Sequence, residues 1–91
     1  MQLQNKEIST SNPTLNTLIA ELGEECQNVI TLVNQFQLND LSNKQQIEIL
    51  AELLASTIHL NTHCDKNFKG MILEELESLS DEALKKLLYI F

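Results

Sequence analysis

The sequence contains no tryptophan and no arginine, a single proline (Pro13), two glycines (Gly23 and Gly70), and only four aromatic residues, Phe36, Phe68, Tyr89 and Phe91. Each scarcity excludes something. Without arginine there is no guanidinium to fork onto phosphate or guanine, and six lysines stand against thirteen acids for a formal net charge of -7. Direct nucleic-acid binding is therefore not expected, and neither is attraction to an anionic membrane surface. Two isolated glycines cannot build a phosphate-cradling loop, which excludes nucleotide hydrolysis of that type. The two cysteines, Cys26 and Cys64, have no paired spacing, and the opening Met1 to Glu7 lacks the apolar stretch of a signal peptide, so a reduced, cytoplasmic setting is expected. The longest apolar run, Leu87 to Phe91, is far shorter than the ~20 residues needed to cross a bilayer.

What the chain does have is helical periodicity. At 91 residues with 43% hydrophobic content it is long enough for one modest core. Residues 1–11 are polar and without sustained period, which predicts a flexible N-terminal arm, and residues 12–91 form a single helical domain. Asn12-Pro13 is a helix start, because asparagine accepts from orphan backbone N–H groups and proline suits the first helical position. From there Leu15, Leu18, Ile19, Leu22, Cys26, Val29, Ile30, Val33 and Phe36 fill one stripe, predicting a helix from Pro13 to about Gln37. Cys26 on that stripe reads as a small buried apolar residue, and Gly23 at its edge as a place for a neighbouring helix to approach closely.

The stretch Ser42 to Cys64 organises the rest, because it is apolar over more than half its circumference. Ser42 and Gln45 make a capping box, so a second helix runs from about Asn43 to about Asn61. The short linker from Leu38 to Leu41 makes the two long helices antiparallel neighbours. Stepping ~100° per residue, Ile47, Leu50, Ala51, Leu54 and Ile58 form one stripe, and Ile49, Leu53 and Leu60 a second beside it. The first stripe is assigned to the hairpin core, with Leu22, Val29, Val33, Leu50, Leu54 and Ile58 at its centre. A third, short and acidic helix covers Asn67 to Leu76. A fourth is capped by Ser80 and stapled by Leu79 onto Leu84, with Leu84, Leu87, Leu88 and Phe91 as its stripe. The fold class is thus all-α: an antiparallel helical bundle in which a long helical hairpin is closed by two short C-terminal helices.

Few residues point to chemistry. His59 and His63 stand one helical turn apart and close to Cys64, a spacing that can chelate a divalent metal, but Cys64 projects roughly 100° away from His63 and no second ligand pair occurs. Neither Glu48 nor Glu52 has a histidine three residues on, which excludes the carboxylate-bridged dimetal bundles. With no nucleophile beside a base, no enzyme and no cofactor is expected. The function expected from class is a small acidic protein–protein interaction module: an adaptor, regulator or inhibitor. It would act as a homodimer through Ile49, Leu53, Leu60 and the C-terminal Leu87, Tyr89, Ile90 and Phe91, since uncovered apolar stripes are rare on soluble monomers. Two alternatives stand beside it. One is a metal- or redox-responsive protein built on His59, His63 and Cys64. The other is an acidic nucleic-acid mimic, using Glu24, Glu25, Glu74, Glu75, Glu77, Asp81 and Glu82 against a nucleic-acid-binding protein.

Overall fold

The computed structural model of the chain describes residues 7–79 together with residues 85, 86, 88 and 89. Its helices are α1 (Pro13–Phe36), α2 (Asn43–His63) and α3 (Lys66–Leu79), and no strand occurs among the described residues. The fourth helix expected from the sequence lies outside the described residues, except that Lys85, Lys86, Leu88 and Tyr89 are helical and exposed.

Each helix starts where a side chain satisfies the first free amides. Asn12, in extended backbone, accepts from the N–H groups of Thr14 and Leu15 at 3.0 and 3.2 Å, and Pro13 takes the first helical position. The chain just before it is tied down. Thr10 donates from its N–H and its hydroxyl to Asn16 Oδ1, both at 2.6 Å. Ser11 donates from its hydroxyl and its N–H to the Glu75 carboxylate at 2.7 and 3.1 Å. The Ser11 hydroxyl, and after it the Ser11 N–H, holds the Glu75 carboxyl below the usual carboxylate range against a smaller desolvation effect. The tether is therefore in force at neutral pH and is lost as pH falls through that lowered value.

The turn into α2 contains Asp40 at φ 63°, a left-handed position that a short polar side chain tolerates where most residues would not. The Ser42–Gln45 capping box is complete: Gln45 N–H donates to Ser42 Oγ at 3.1 Å and Ser42 N–H to Gln45 Oε1 at 2.8 Å. At the far end Asp65 Oδ1 accepts the Phe68 N–H at 2.8 Å, a cap that starts α3 one residue earlier than the sequence reading placed it.

Three contacts define the seam between α1 and α2. Asn28 Nδ2 donates to Ser56 Oγ at 2.9 Å, His59 Nδ1 lies 4.0 Å from Glu25 Oε1, and His63 Nε2 lies 2.7 Å from the Leu18 carbonyl. As the α1 number falls the α2 number rises, so the helices are antiparallel. Ser56 is buried, and Ile49, Leu53, Leu60 and His63, which share its side of α2 at spacings of three, four and seven, are half-buried. On α1 the buried residues are Leu15 and Leu32, with Leu18, Leu22, Glu25 and Val29 half-buried between them. α3 packs against α1 and sets Phe68 at the end of the seam, its ring 4.8 Å from that of His63 in edge-on contact.

This rotation corrects three expectations. Periodicity places Leu50, Leu54, Ile58 and Val33 in the hairpin core, but they are 48%, 62%, 56% and 41% exposed. An apolar arc wider than one neighbour can cover leaves the rotation undetermined by hydrophobicity. Here the small Ser56 sits at the contact, where a leucine would hold the helices apart and Asn28 would lose its partner. Cys26, expected to be buried, is exposed because the seam runs along the other edge of its stripe. Gly23 admits no close neighbour: a Cβ added there would meet nothing within 4 Å.

The result is an open structure. Among the described residues only Leu15, Leu32 and Phe68 are buried apolar residues. The accessible surface is 7575 Å², where a compact monomer of 10.3 kDa shows ~5,400 Å². The radius of gyration is 17.1 Å against ~12 Å for a compact domain of this length. With so few buried anchors, each counts heavily. Leu32→Ala should cost ~2–5 kcal/mol in denaturant titration. Ser56→Leu should cost ~1–3 kcal/mol although leucine is the better helix former and more apolar. A stabilised Ser56→Leu variant would mean that α2 turns another side to α1.

Candidate functional site

The seam has two flanks of opposite character. One is acidic and indented. A cleft of about 380 Å³ is lined by Glu21, Glu24, Glu25 and Asn28 of α1 and by His59 and His63 of α2. Further along the same flank a second cleft of about 360 Å³ is lined by Glu48 and Glu52 of α2 together with the uncharged Gln35, Leu38, Leu41, Gln45 and Ile49. These residues fall on one side because their spacings of three, four and seven repeat along each helix. Every carboxylate of α1 and α2, Glu21, Glu24, Glu25, Glu48 and Glu52, lines one of these clefts. A concave surface lined by charge of one sign concentrates the field and draws oppositely charged groups.

The two histidines play different parts. His59 is 70% exposed, and its contact with Glu25, at 4.0 Å, is an open surface pair of small energetic consequence. His63 is half-buried, and because a carbonyl only accepts, its Nε2 carries the proton and donates to Leu18 O at 2.7 Å. That nitrogen is committed to the fold. Cys64 terminates α2, its N–H donating to Leu60 O at 2.9 Å, and it does not line the cleft the histidines share. Among the described residues no three His, Cys, Asp or Glu side chains come together in a way that would hold a metal ion. The trio His59, His63 and Cys64 is thus divided among an exposed ring, a structural hydrogen bond and a helix end.

The opposite flank is uncharged. From α1 it presents Cys26, Ile30 and Val33, and continuing round to the outer side of α2 it presents Leu50, Leu54, Ile47 and Ile58. Of these, Ile30 is 51% exposed and Ile47 66%. The residues expected from the sequence to form an interface are distributed otherwise. Ile49, Leu53 and Leu60 are half-buried on the Ser56 side of α2, Tyr89 is 93% exposed, and Leu87, Ile90 and Phe91 lie outside the described residues. The sequence reading missed Ser56 and Asn28 as the contact that orients α2. A signal was present: Ser56 is a small residue at the border between the polar side and the apolar arc, seven residues from both Ile49 and His63.

No helix among the described residues is long and apolar enough to cross a membrane. Compared with known protein families, with curated proteins and with solved structures, the chain matches none.

The unequal roles of the histidines are measurable. His63→Ala removes a half-buried hydrogen bond and an edge-on aromatic contact and should cost ~1–3 kcal/mol by thermal or denaturant unfolding. His59→Ala should change stability by less than ~0.5 kcal/mol. Equal losses would contradict the commitment of His63 to the seam.

Proposed function

We propose that the chain is a non-catalytic protein–protein interaction module that works as a homodimer in the cytoplasm and offers its acidic flank to a basic protein partner. The observation that carries the reading is the segregation of charge: five carboxylates from two helices line clefts on one flank, while the other flank has none. Clefts lined by like charge favour a basic surface, both by steering its approach and by complementarity at contact. The free thiols Cys26 and Cys64 fit a reducing compartment.

Immobilised protein challenged with native lysate should retain proteins through basic surfaces, released by rising salt as the charges are screened. Neutralising four carboxylates together, Glu21→Gln, Glu24→Gln, Glu48→Gln and Glu52→Gln, should abolish that retention and leave helicity by circular dichroism unchanged, because all four are exposed. Retention unaffected by the neutralised variant, or by salt, would overturn the reading. Retention confined to nucleic-acid-binding proteins that nucleic acid displaces would instead favour mimicry.

A further inference from the structure

We infer that a second copy of this chain covers the uncharged flank, with α2 packed against α2 of the other copy about a two-fold axis. The inference deepens the interaction reading above and rests on it for the dimeric state; the face and its occupant come from separate observations.

The face is continuous. The seam contacts set the register, with Asn28 level with Ser56 and Glu25 with His59. That register places Ile30 level with Leu54, Val33 level with Ala51 and one residue from Leu50, and Cys26 level with Ile58. Stepping ~100° per residue, Ile30 and Val33 turn away from the acidic clefts on α1, and Leu50, Leu54, Ile47 and Ile58 turn away from them on α2. Those six side chains are 51%, 41%, 48%, 62%, 66% and 56% exposed in that order. Together they expose roughly 600 Å², at the upper limit for a soluble monomer and near the ~800 Å² that each partner contributes to a stable interface.

Three observations select the occupant. The first is charge. Each chain carries a formal net charge of -7, so two copies repel unless their acidic flanks are kept apart. Pairing through the uncharged flank puts two helix layers, ~20 Å, between the carboxylate sets, well beyond the ~8 Å screening length at physiological salt. The second is the small internal core: with three apolar side chains buried among the described residues, the hairpin has much to gain from a permanent partner, and permanent interfaces are the apolar ones. The third is the position of the apolar groups described beyond the hairpin, those of α3 and Leu88 and Tyr89. α3 packs at the Ser11 end of α1, where Glu75 holds the Ser11 hydroxyl at 2.7 Å. Leu88 and Tyr89 are 79% and 93% exposed and so are not seated on this face.

Light scattering coupled to size exclusion at micromolar concentration should give twice the 10.3 kDa chain mass. Leu54→Glu and Ile58→Glu, each at a side chain exposed on the single chain, should weaken association by more than ~100-fold, because each copy would then bury an unpaired carboxylate. Leu50→Ala is a milder variant for use if these lose their helices, and should weaken association by ~10-fold or more. The Cys26 thiol, which lies on the face, should react slowly with a maleimide in the dimer and quickly once dilution separates the copies. A mass of one chain at every concentration would overturn the inference. So would a dimer that these variants leave intact, or one that is lost on deleting residues 80–91 while Leu54→Glu has no effect. The interaction reading fails separately: a monomer that still retains basic proteins overturns only the dimer, and a dimer that retains none overturns only the acidic-flank reading.

Discussion

The hydrogen bond from Asn28 to Ser56, 2.9 Å long across the seam, marks the constraint on which the rest of the structure depends. α2 is apolar over more than half its circumference, and a single antiparallel neighbour covers an arc of only about 100° or somewhat more. The helix must therefore turn one edge of its apolar arc inward and leave the other outside. Ser56 decides which. Its small side chain lets the axes approach, its hydroxyl gives Asn28 a partner, and His63, two turns further on, finds the Leu18 carbonyl in the same rotation. A rotation bringing Leu54 to the seam would bury more hydrocarbon but break both polar contacts.

From that rotation the two flanks follow without further assumption. Once Ser56 faces α1, Glu48, Glu52 and His59 lie on one side of the contact and join Glu21, Glu24 and Glu25 in the acidic clefts. Leu50, Leu54 and Ile58 lie on the other side with Ile30 and Val33. Among the described residues hydrophobic burial is modest: three buried apolar side chains contribute ~1.5–3 kcal/mol each relative to exposure, which is small against the ordering cost of the helices they anchor. Among the described residues the uncharged flank still exposes Ile30, Ile47, Leu50, Leu54 and Ile58, so the association proposed above would add to the stability of the fold.

The local features were legible in the sequence because they depend on residues near one another in the chain. Asn12-Pro13 and the Ser42–Gln45 box set helix starts through contacts spanning three residues, and the short link from Leu38 to Leu41 made the two long helices neighbours. The rotation was not legible, because it depends on Asn28 meeting Ser56 across 28 positions and His63 meeting Leu18 across 45. Counting apolar residues favoured the stripe of Leu50, Leu54 and Ile58, since that count gives no weight to a serine whose value lies in its smallness and its partner. The Asp65 cap is hidden for a different reason: no glycine or proline follows His63 to mark the stop, and the aspartate acts only through the Phe68 N–H once the chain has turned. The acidic flank was half visible. Glu48, Glu52, His59 and His63 could be aligned on α2, but the three glutamates that complete the cleft come from α1.

The central claim is the rotation of α2, and a designed disulfide tests it most directly. In a chain carrying Cys26→Ser and Cys64→Ser, the pair Asn28→Cys with Ser56→Cys should form an intramolecular disulfide under mild oxidation, because the side chains at these positions point at each other and meet across the seam. The pair Val29→Cys with Leu54→Cys, at a similar level of the hairpin but with Leu54 turned outward, should stay reduced within the chain. The reverse result, a disulfide between positions 29 and 54 and none between 28 and 56, would contradict the rotation and with it the assignment of both flanks.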